Sequence, residues 1–580
     1  MPYDKYGSDV IVDMLKLYGI KYVPLNPGAS YRGLHDSIVN YGNNSPEIIQ
    51  CVHEKIALGV AHGYARQTRG PSAAIVHDLV GLLHGTMGVY YAYTDQVPVI
   101  LLGATGPMDA TRRRPHIDWI HTAQDQGGQV RDYTKFDDQP HTAAAVPESF
   151  ARAYRVVSTP PYGPAYLVYD SNLQEDPLTT PVTYPDPKRV PAPTPMALNP
   201  QTATEIAQML VEAKNPVAMA DWVGQDPDAV DKLVELAELL GMPVIDNMRR
   251  FNFPTTNPLD MSNGKRDVLS QADVLFAIGV LDFDRSLTTL NRTTREMTEV
   301  LQPGCRIIDI SYRDMGMKSW SQGFLKLREV DLFANADPYT ALSQVVEAAR
   351  TLVGTTQQSA ISDRAARIAV MHDTVNAGWM ERSRDGWDSK PMSLARLSWE
   401  VWQQIKGEKW TMTGADLDGW VRRIWDFTEV DQYPGAALGT GTQVGISLGV
   451  ALANKEKDRL TVSIQPDGDL MFDAGSLWIA AYHKIPMLVV MYNNRAYYND
   501  WEHQIAIAKH RGRNEEMAFL GMEFDHPAPD FGKLAQAMGW HGEGPIEDPN
   551  LLGPAIQRAL KHIKDTGMPA LVDAVTQHRG

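Results

Sequence analysis

At 580 residues, with 43% hydrophobic and 21% charged side chains, the chain is long enough for about three or four domains and has an ordinary core-forming composition, which argues against a disordered, fibrous or membrane class. Its formal net charge is −16, from 54 Lys and Arg against 70 Asp and Glu, so the mean field repels nucleic-acid phosphates and anionic lipids, and any bound phosphate must be gripped locally by metal or backbone. Two cysteines, Cys51 and Cys305, match no metal spacing and cannot staple a fold of this size, as expected of a reducing compartment.

The N-terminal stretch MPYDKYGSDVIVDMLKLYGI carries polar residues at helical spacing and lacks the unbroken apolar run of a signal peptide. No run of 18 apolar residues follows, so no membrane span is expected and the chain reads as cytoplasmic. From residue 8 the pattern predicts a helix over Ser8–Tyr18, a strand at Tyr22–Leu25, a helix near Leu34, a strand at Glu47–His53 and a helix over Lys55–Gln67. It then predicts a strand at Ala73–Val76, a helix near Leu82–Tyr93, a strand at Val97–Gly103 and a closing strand within 163–170. Such alternation builds a parallel sheet with helices on both faces. The proline-rich stretch 177–200 reads as a linker.

A second α/β run has expected strands at Pro216–Ala220, Pro243–Asp246, Val274–Gly279 and Cys305–Ile310, and a helix at Tyr339–Val353. The polar stretch Gly354–Ser359 is expected to be the next boundary. A last block from about residue 380 has expected strands at Thr461–Gln465, Pro486–Tyr492 and Ala570–Val575. The fold class is therefore α/β, with three doubly wound parallel-sheet domains over residues 1–185, 198–353 and 380–580. Apart from Arg112-Arg113-Arg114 there is no basic patch, so no nucleic-acid partner is expected.

In TVSIQPDGDLMFDAGSLWIAAYHKIPMLVVMYNNRAYYND, a strand, a loop at Pro466–Asp469, a helix and a second strand ending at Asn493-Asn494 are expected. A right-handed crossover brings the carboxyl ends of both strands to one edge, where open α/β sheets bind ligands. Asp467 and Asn494 then face one site as hard oxygen ligands suited to Mg²⁺ or Ca²⁺, with open positions for diphosphate oxygens. Taken singly, Asp-Gly and Asn-Asn are also ordinary turn pairs.

This arrangement resembles the motif of thiamine-diphosphate (ThDP) enzymes, Gly-Asp-Gly followed one crossover later by Asn-Asn, with Pro466 in place of the first glycine. The resemblance implies a fold of pyrimidine-binding, central and diphosphate-binding domains. It assigns Asp467, Asn494 and the backbone carbonyl of Ala496 to a Mg²⁺ ion, and Gly468, Asp469 and Thr440 to cofactor binding. Thr440 takes the place of a bulky apolar residue under the bent cofactor, with Leu438 its alternative one register away.

It also implies a glutamate on the first domain against the aminopyrimidine, and IIQCVHEKIALGVAHGYARQTRG supplies Glu54 at a strand-to-helix junction. A carboxyl there promotes the imino tautomer that deprotonates the thiazolium C2. A helix-start glutamate that merely complements the dipole is the alternative. Relatives in look are benzoylformate decarboxylase and the acetolactate synthase large subunit, and the likeness covers nearly the whole chain. His77 stands where the decarboxylase carries an active-site histidine, and His121, with His116 as rival, where the synthase carries a glutamine. Asp500, with Glu502 and His503 as competitors, lies where some relatives place an acid-base group. Asn26-Pro27-Gly28 matches a family turn, with Ser30 one place beyond the expected serine.

The function implied is decarboxylation of a 2-oxo acid, with protonation or carboligation of the enamine. Alternatives are a C–C lyase or hydrolase acting on a hydroxy ketone or dione, and a non-catalytic subunit of the same fold. One glycine in VAMADWVGQDPDAV, where FAD-binding relatives cluster several, makes FAD an unlikely cofactor. The resemblance further implies a homodimer or homotetramer whose sites lie between subunits.

Overall fold

The computed structural model describes residues 5–315, 327–435 and 439–578, so Leu438 lies outside the described residues. The first domain is a six-stranded sheet in the order β2-β1-β3-β4-β6-β5. Its strands are β1 (Tyr22–Leu25), β2 (Glu47–Gln50), β3 (Ser72–Ile75), β4 (Val99–Thr105), β5 (Phe136–Asp138) and β6 (Ala165–Asp170), and every pairing is parallel. β3 and β4 are buried along their whole length, as central strands covered on both faces must be. β2 ends at Gln50 rather than His53, because His53 turns outward as the N-cap of the helix Glu54–Thr68 and accepts the Lys55 N–H at 3.1 Å.

The central sheet, in the order β13-β12-β9-β7-β8, is again parallel. Its strands are β7 (Pro216–Ala220), β8 (Val244–Asp246), β9 (Val274–Ile278), β12 (Arg306–Ile310) and β13 (Leu332–Ala334), and an antiparallel hairpin of β10 (Thr288–Leu290) and β11 (Met297–Glu299) stands beside it. The expected boundary at Gly354–Ser359 is instead the start of a 28-residue helix, Thr355–Arg382. Gly354 is its N-cap, with its N–H held by the Gln357 side chain at 3.2 Å. Ile361, Arg364, Ile368 and His372 are buried at helical spacing, and Arg364 donates to the carbonyls of Gly241 at 3.2 Å and Lys214 at 3.1 Å. The polar composition of this segment marks a solvent-facing helix side, not a break.

The third sheet, β14-β15-β16-β18-β17, comprises β14 (Trp410–Gly414), β15 (Leu460–Pro466), β16 (Leu488–Asn493), β17 (His541–Ile546) and β18 (Ala570–Val575), all parallel. The expected loop at Pro466–Asp469 is absent: β15 runs through Pro466 and the helix Asp467–Phe472 begins at the next residue. Proline at the strand's last position loses no ladder bond that the helix start needs.

Two apolar cores cross domain boundaries. One joins Ile49, Ile56 and Val60 to Val444, Leu448 and Leu452. The other packs Phe251 of the central domain with Trp402, Trp410, Trp425 and Phe427 of the third.

Candidate active site

On the third domain, the carboxyl ends of adjacent β15 and β16 place Asp467 and Asn494 at one edge. Asp467 is 2% exposed, and its carboxylate accepts the N–H groups of Gly468 at 2.8 Å and Arg495 at 2.5 Å. Burial pushes its pKa up to about 7 despite those bonds, since no cationic side chain compensates the charge. Asn494 is also buried, and its Oδ1 accepts the Ala496 N–H at 3.0 Å. Each of these oxygens keeps a lone pair for a cation. A side chain at Gly468 would meet the Tyr497 ring at 2.6 Å, so only glycine lets the backbone lie this close.

Asp469 turns the other way. Its carboxylate accepts the N–H groups of Gly441 at 2.6 Å and Gln443 at 3.1 Å, and the Gln465 amide at 3.2 Å. It thereby fixes the loop carrying Thr440, where Gly439, Thr440 and Gly441 all have positive φ, of +78°, +52° and +73°. A β-branched residue in that region stores strain of order 1–3 kcal/mol and persists only where neighbours hold it. The Tyr91 hydroxyl of the first domain, 2.8 Å from Thr440 Oγ1, is one such neighbour.

On the first domain, Glu54 opens its helix and is 4% exposed. The Asn26 amide donates to its Oε1 at 3.1 Å, whereas Oε2 is buried with no hydrogen-bond partner. His77, after β3, lies with its Nδ1 2.7 Å from Ser30 Oγ and its ring centroid 5.3 Å from that of His121. Burial, and then the neighbouring His121, lower the His77 pKa, which favours a neutral imidazole. His121 Nδ1 donates to the Ile117 carbonyl at 3.0 Å, which orients the ring. His116, the rival position, is exposed and sits at φ +71°. Beside His77 is a group the sequence did not single out: Asp78, 1% exposed, with Oδ1 3.4 Å from His77 Nε2 and a pKa pushed up to about 7 by burial.

The two halves meet within one chain. The helices Glu54–Thr68 and Gln443–Lys455 pack so closely that a Cβ on Gly63 would lie 1.9 Å from the Ile446 carbonyl oxygen, and one on Gly449 2.0 Å from that of Val60. Lys55 pairs with Asp473 at 3.1 Å across the same contact. The resemblance implies that the two halves of one site come from different subunits. Asp500 is exposed on the helix Tyr498–His510, and Glu502 pairs with Arg292 at 3.2 Å. Tyr91 and Asp78 carry no local motif, and only the tertiary fold makes them, and the Asn26 amide, neighbours of the site.

Three family models match the chain: the thiamine pyrophosphate enzyme N-terminal TPP binding domain at residues 5–129, the central domain at 203–318 and the C-terminal TPP binding domain at 415–574. The chain belongs to the thiamine pyrophosphate enzyme family. This ThDP enzyme is 23% identical to the probable acetolactate synthase large subunit of Methanocaldococcus jannaschii over 98% of its own length and 91% of that protein's. It is 22% identical to the acetolactate synthase isozyme 3 large subunit of Escherichia coli, over 96% and 93%. Among solved structures, benzoylformate decarboxylase from Polynucleobacter necessarius superposes with a TM-score of 0.75 at 16% identity, covering 99% of both chains. A thiamin diphosphate-dependent enzyme from Mycobacterium smegmatis gives 0.73 at 20%, covering 99% of this chain and 100% of that one. The site fits ThDP on its own terms: Glu54 Oε2 is a buried acceptor awaiting a donor, and Asp467 is a buried carboxylate awaiting a cation.

Proposed function

We propose that this ThDP enzyme decarboxylates a 2-oxo acid and either protonates the product or joins it to a second carbonyl compound, in the manner of a benzoylformate decarboxylase or an acetolactate synthase. The observation that carries this reading is the pair His77–His121, ring centroids 5.3 Å apart, on the domain that supplies Glu54. Bound ThDP supplies the electron sink that stabilises a carbanion next to a carbonyl. Glu54 holds the aminopyrimidine through Oε2 while Asn26 fixes the other oxygen. His77, oriented by Ser30, and His121, oriented by Ile117, hold or move protons at the substrate's oxygen. Asp467, Asn494 and the Ala496 carbonyl hold Mg²⁺ against the diphosphate, which gives an acidic chain its local grip on phosphate. A lyase or hydrolase acting on a hydroxy ketone uses the same groups and is the second reading.

FAD has no place in this proposal. Trp222, at the end of β7, packs against Gly279 at the end of β9, where a glycine Cβ would lie 3.1 Å from it. We further propose a cytoplasmic homodimer or homotetramer with its sites at the subunit interface. Residues 191–197 of the linker are exposed and form no regular structure, so the faces that meet within one chain can equally be exchanged between two. Among the described residues no helix is long and apolar enough to cross a membrane.

The test is incubation of purified protein with ThDP, Mg²⁺ and a panel of aliphatic and aromatic 2-oxo acids, following carbon dioxide and ligation products. Release of carbon dioxide supports the proposal. Cleavage of hydroxy ketones without decarboxylation of any 2-oxo acid favours the second reading.

A further inference from the structure

Glu54 must gain and lose a proton in each cycle of cofactor activation, yet its side chain is only 5% exposed. Oε1 is committed to the Asn26 amide, which donates a hydrogen bond but cannot release the proton. A buried carboxyl in that position needs a titratable neighbour open to water.

The helix Leu79–Thr94 supplies one. Gly81, Gly85 and Gly88 recur on the face that presses on the Glu54 helix. Cβ atoms on them would lie 3.0 Å from Glu54 Oε1, 2.9 Å from Leu58 Cδ1 and 2.7 Å from Leu58 Cβ. Only their absence lets the backbone come this near. The side chain that the stripe brings onto Glu54 is His84, with Nδ1 3.5 Å from Oε2 and 64% of the side chain exposed. His53 stacks on it, centroids 5.0 Å apart and planes 22° from parallel. His53 is not the better candidate, because its Nδ1 accepts the Lys55 N–H and caps the helix.

Resting on the ThDP reading of the site, we infer that His84 exchanges protons between bulk water and the Glu54 carboxyl. When Glu54 releases its proton, the O–H bond at Oε2 breaks, an N–H bond forms at His84 Nδ1, and the imidazolium gives its Nε2 proton to water. The return path runs the same bonds in reverse, and no electrons change owner. A carboxylate oxygen has two lone pairs, so Oε2 serves the cofactor ring nitrogen with one and His84 with the other. The other charged or titratable groups facing the pair are His53, Lys55 with its partner Asp473, His77 across Gly81, and Tyr31, whose hydroxyl donates to the Asn26 carbonyl. His84 is a positioning residue in this scheme, acting on the cofactor through Glu54.

Two measurements decide it. In cofactor-free protein, the His84 imidazole nitrogen resonances change on E54Q, because the Glu54 carboxylate faces Nδ1 at 3.5 Å. Identical nitrogen resonances in wild type and E54Q overturn the inference. With ThDP and Mg²⁺ bound, exchange of the C2 proton into deuterium oxide slows roughly tenfold or more in H84N and H84Q, and added imidazole restores part of the rate. Wild-type exchange in both variants overturns the inference. Since His84 is exposed, neither variant removes core packing. If the wild-type chain fails to bind ThDP, the cofactor reading falls, and the nitrogen resonances still decide whether Glu54 and His84 are coupled.

Discussion

Glu54 and Asp221 show two uses of a buried carboxylate. Glu54 keeps one oxygen bonded to Asn26 and one without a hydrogen bond, His84 lying 3.5 Å from it, which suits a group that shares a proton with a ligand. E54Q is therefore predicted to bind ThDP nearly as wild type while C2 exchange falls about 10²-fold or more, since an amide cannot supply the proton-sharing oxygen. Wild-type exchange in E54Q would remove Glu54 from the mechanism. Asp221, in the central domain, is 3% exposed, with Oδ1 unpaired and Oδ2 accepting the Leu281 N–H at 3.4 Å. Burial, outweighing the nearby Arg249, pushes its pKa up to about 7. The unfolded side chain titrates near ~4, so between about pH 4 and 7 the folded state holds a proton that the unfolded chain has lost, and stability falls as pH rises through that window. D221N is predicted to be more stable than wild type by an amount that grows by roughly 3 kcal/mol between pH 5 and pH 8, at about 1.4 kcal/mol per unit up to the folded pKa. Urea midpoints at the two pH values measure it, and a difference independent of pH would contradict it.

The helices Glu54–Thr68 and Gln443–Lys455 approach so closely that glycines from each meet the other's backbone. G63A places its methyl 1.9 Å from the Ile446 carbonyl oxygen, and separating the helices is predicted to lower stability by about 2 kcal/mol or more and to weaken ThDP binding together. Gly378 offers the contrast: it lies in the helix Thr355–Arg382, where an added Cβ would meet nothing within 4 Å, so G378A should stabilise by about 0.5–1 kcal/mol without touching cofactor affinity. Thermal unfolding and calorimetry on both variants check the pair. The long parallel strands, and the common edge of Asp467 and Asn494, were legible because β-branched runs and a crossover carry their own signal, whereas Glu54 was singled out by the family resemblance. The edge strands β5, β14 and β17 were not, since Phe136–Asp138 has three residues, His541–Ile546 carries two glycines and a proline, and Trp410–Gly414 lies behind a helix of similar apolarity. The Asn26, Ser30 and Tyr91 contacts arise from residues far apart in sequence, which no local pattern encodes. Only tertiary placement sets His121 beside His77 and leaves His116 and Asp500 exposed.

For the molecule as a whole, the apolar core that joins the first and third domains makes the site the junction of two sheets, not a pocket in either one. If that junction is exchanged between subunits, as proposed, E54Q and D467A chains that are each inactive should recover about a quarter of wild-type activity when mixed and reassembled, because half the chains pair as heterodimers with one intact site of two. No recovery, with heterodimers shown by mass spectrometry, would mean that both halves come from one chain as in the structure. Whatever the assembly or substrate, the proposed site places one ThDP between Glu54 and the Asp467–Asn494 edge, held by a divalent ion. It is tested by calorimetric titration of ThDP into the wild-type chain and D467A, with Mg²⁺ and after its removal by chelator. One ThDP per chain is expected in wild type with Mg²⁺, with binding lost both on chelation and in folded D467A. Equal affinity in D467A, or binding indifferent to Mg²⁺, would contradict it.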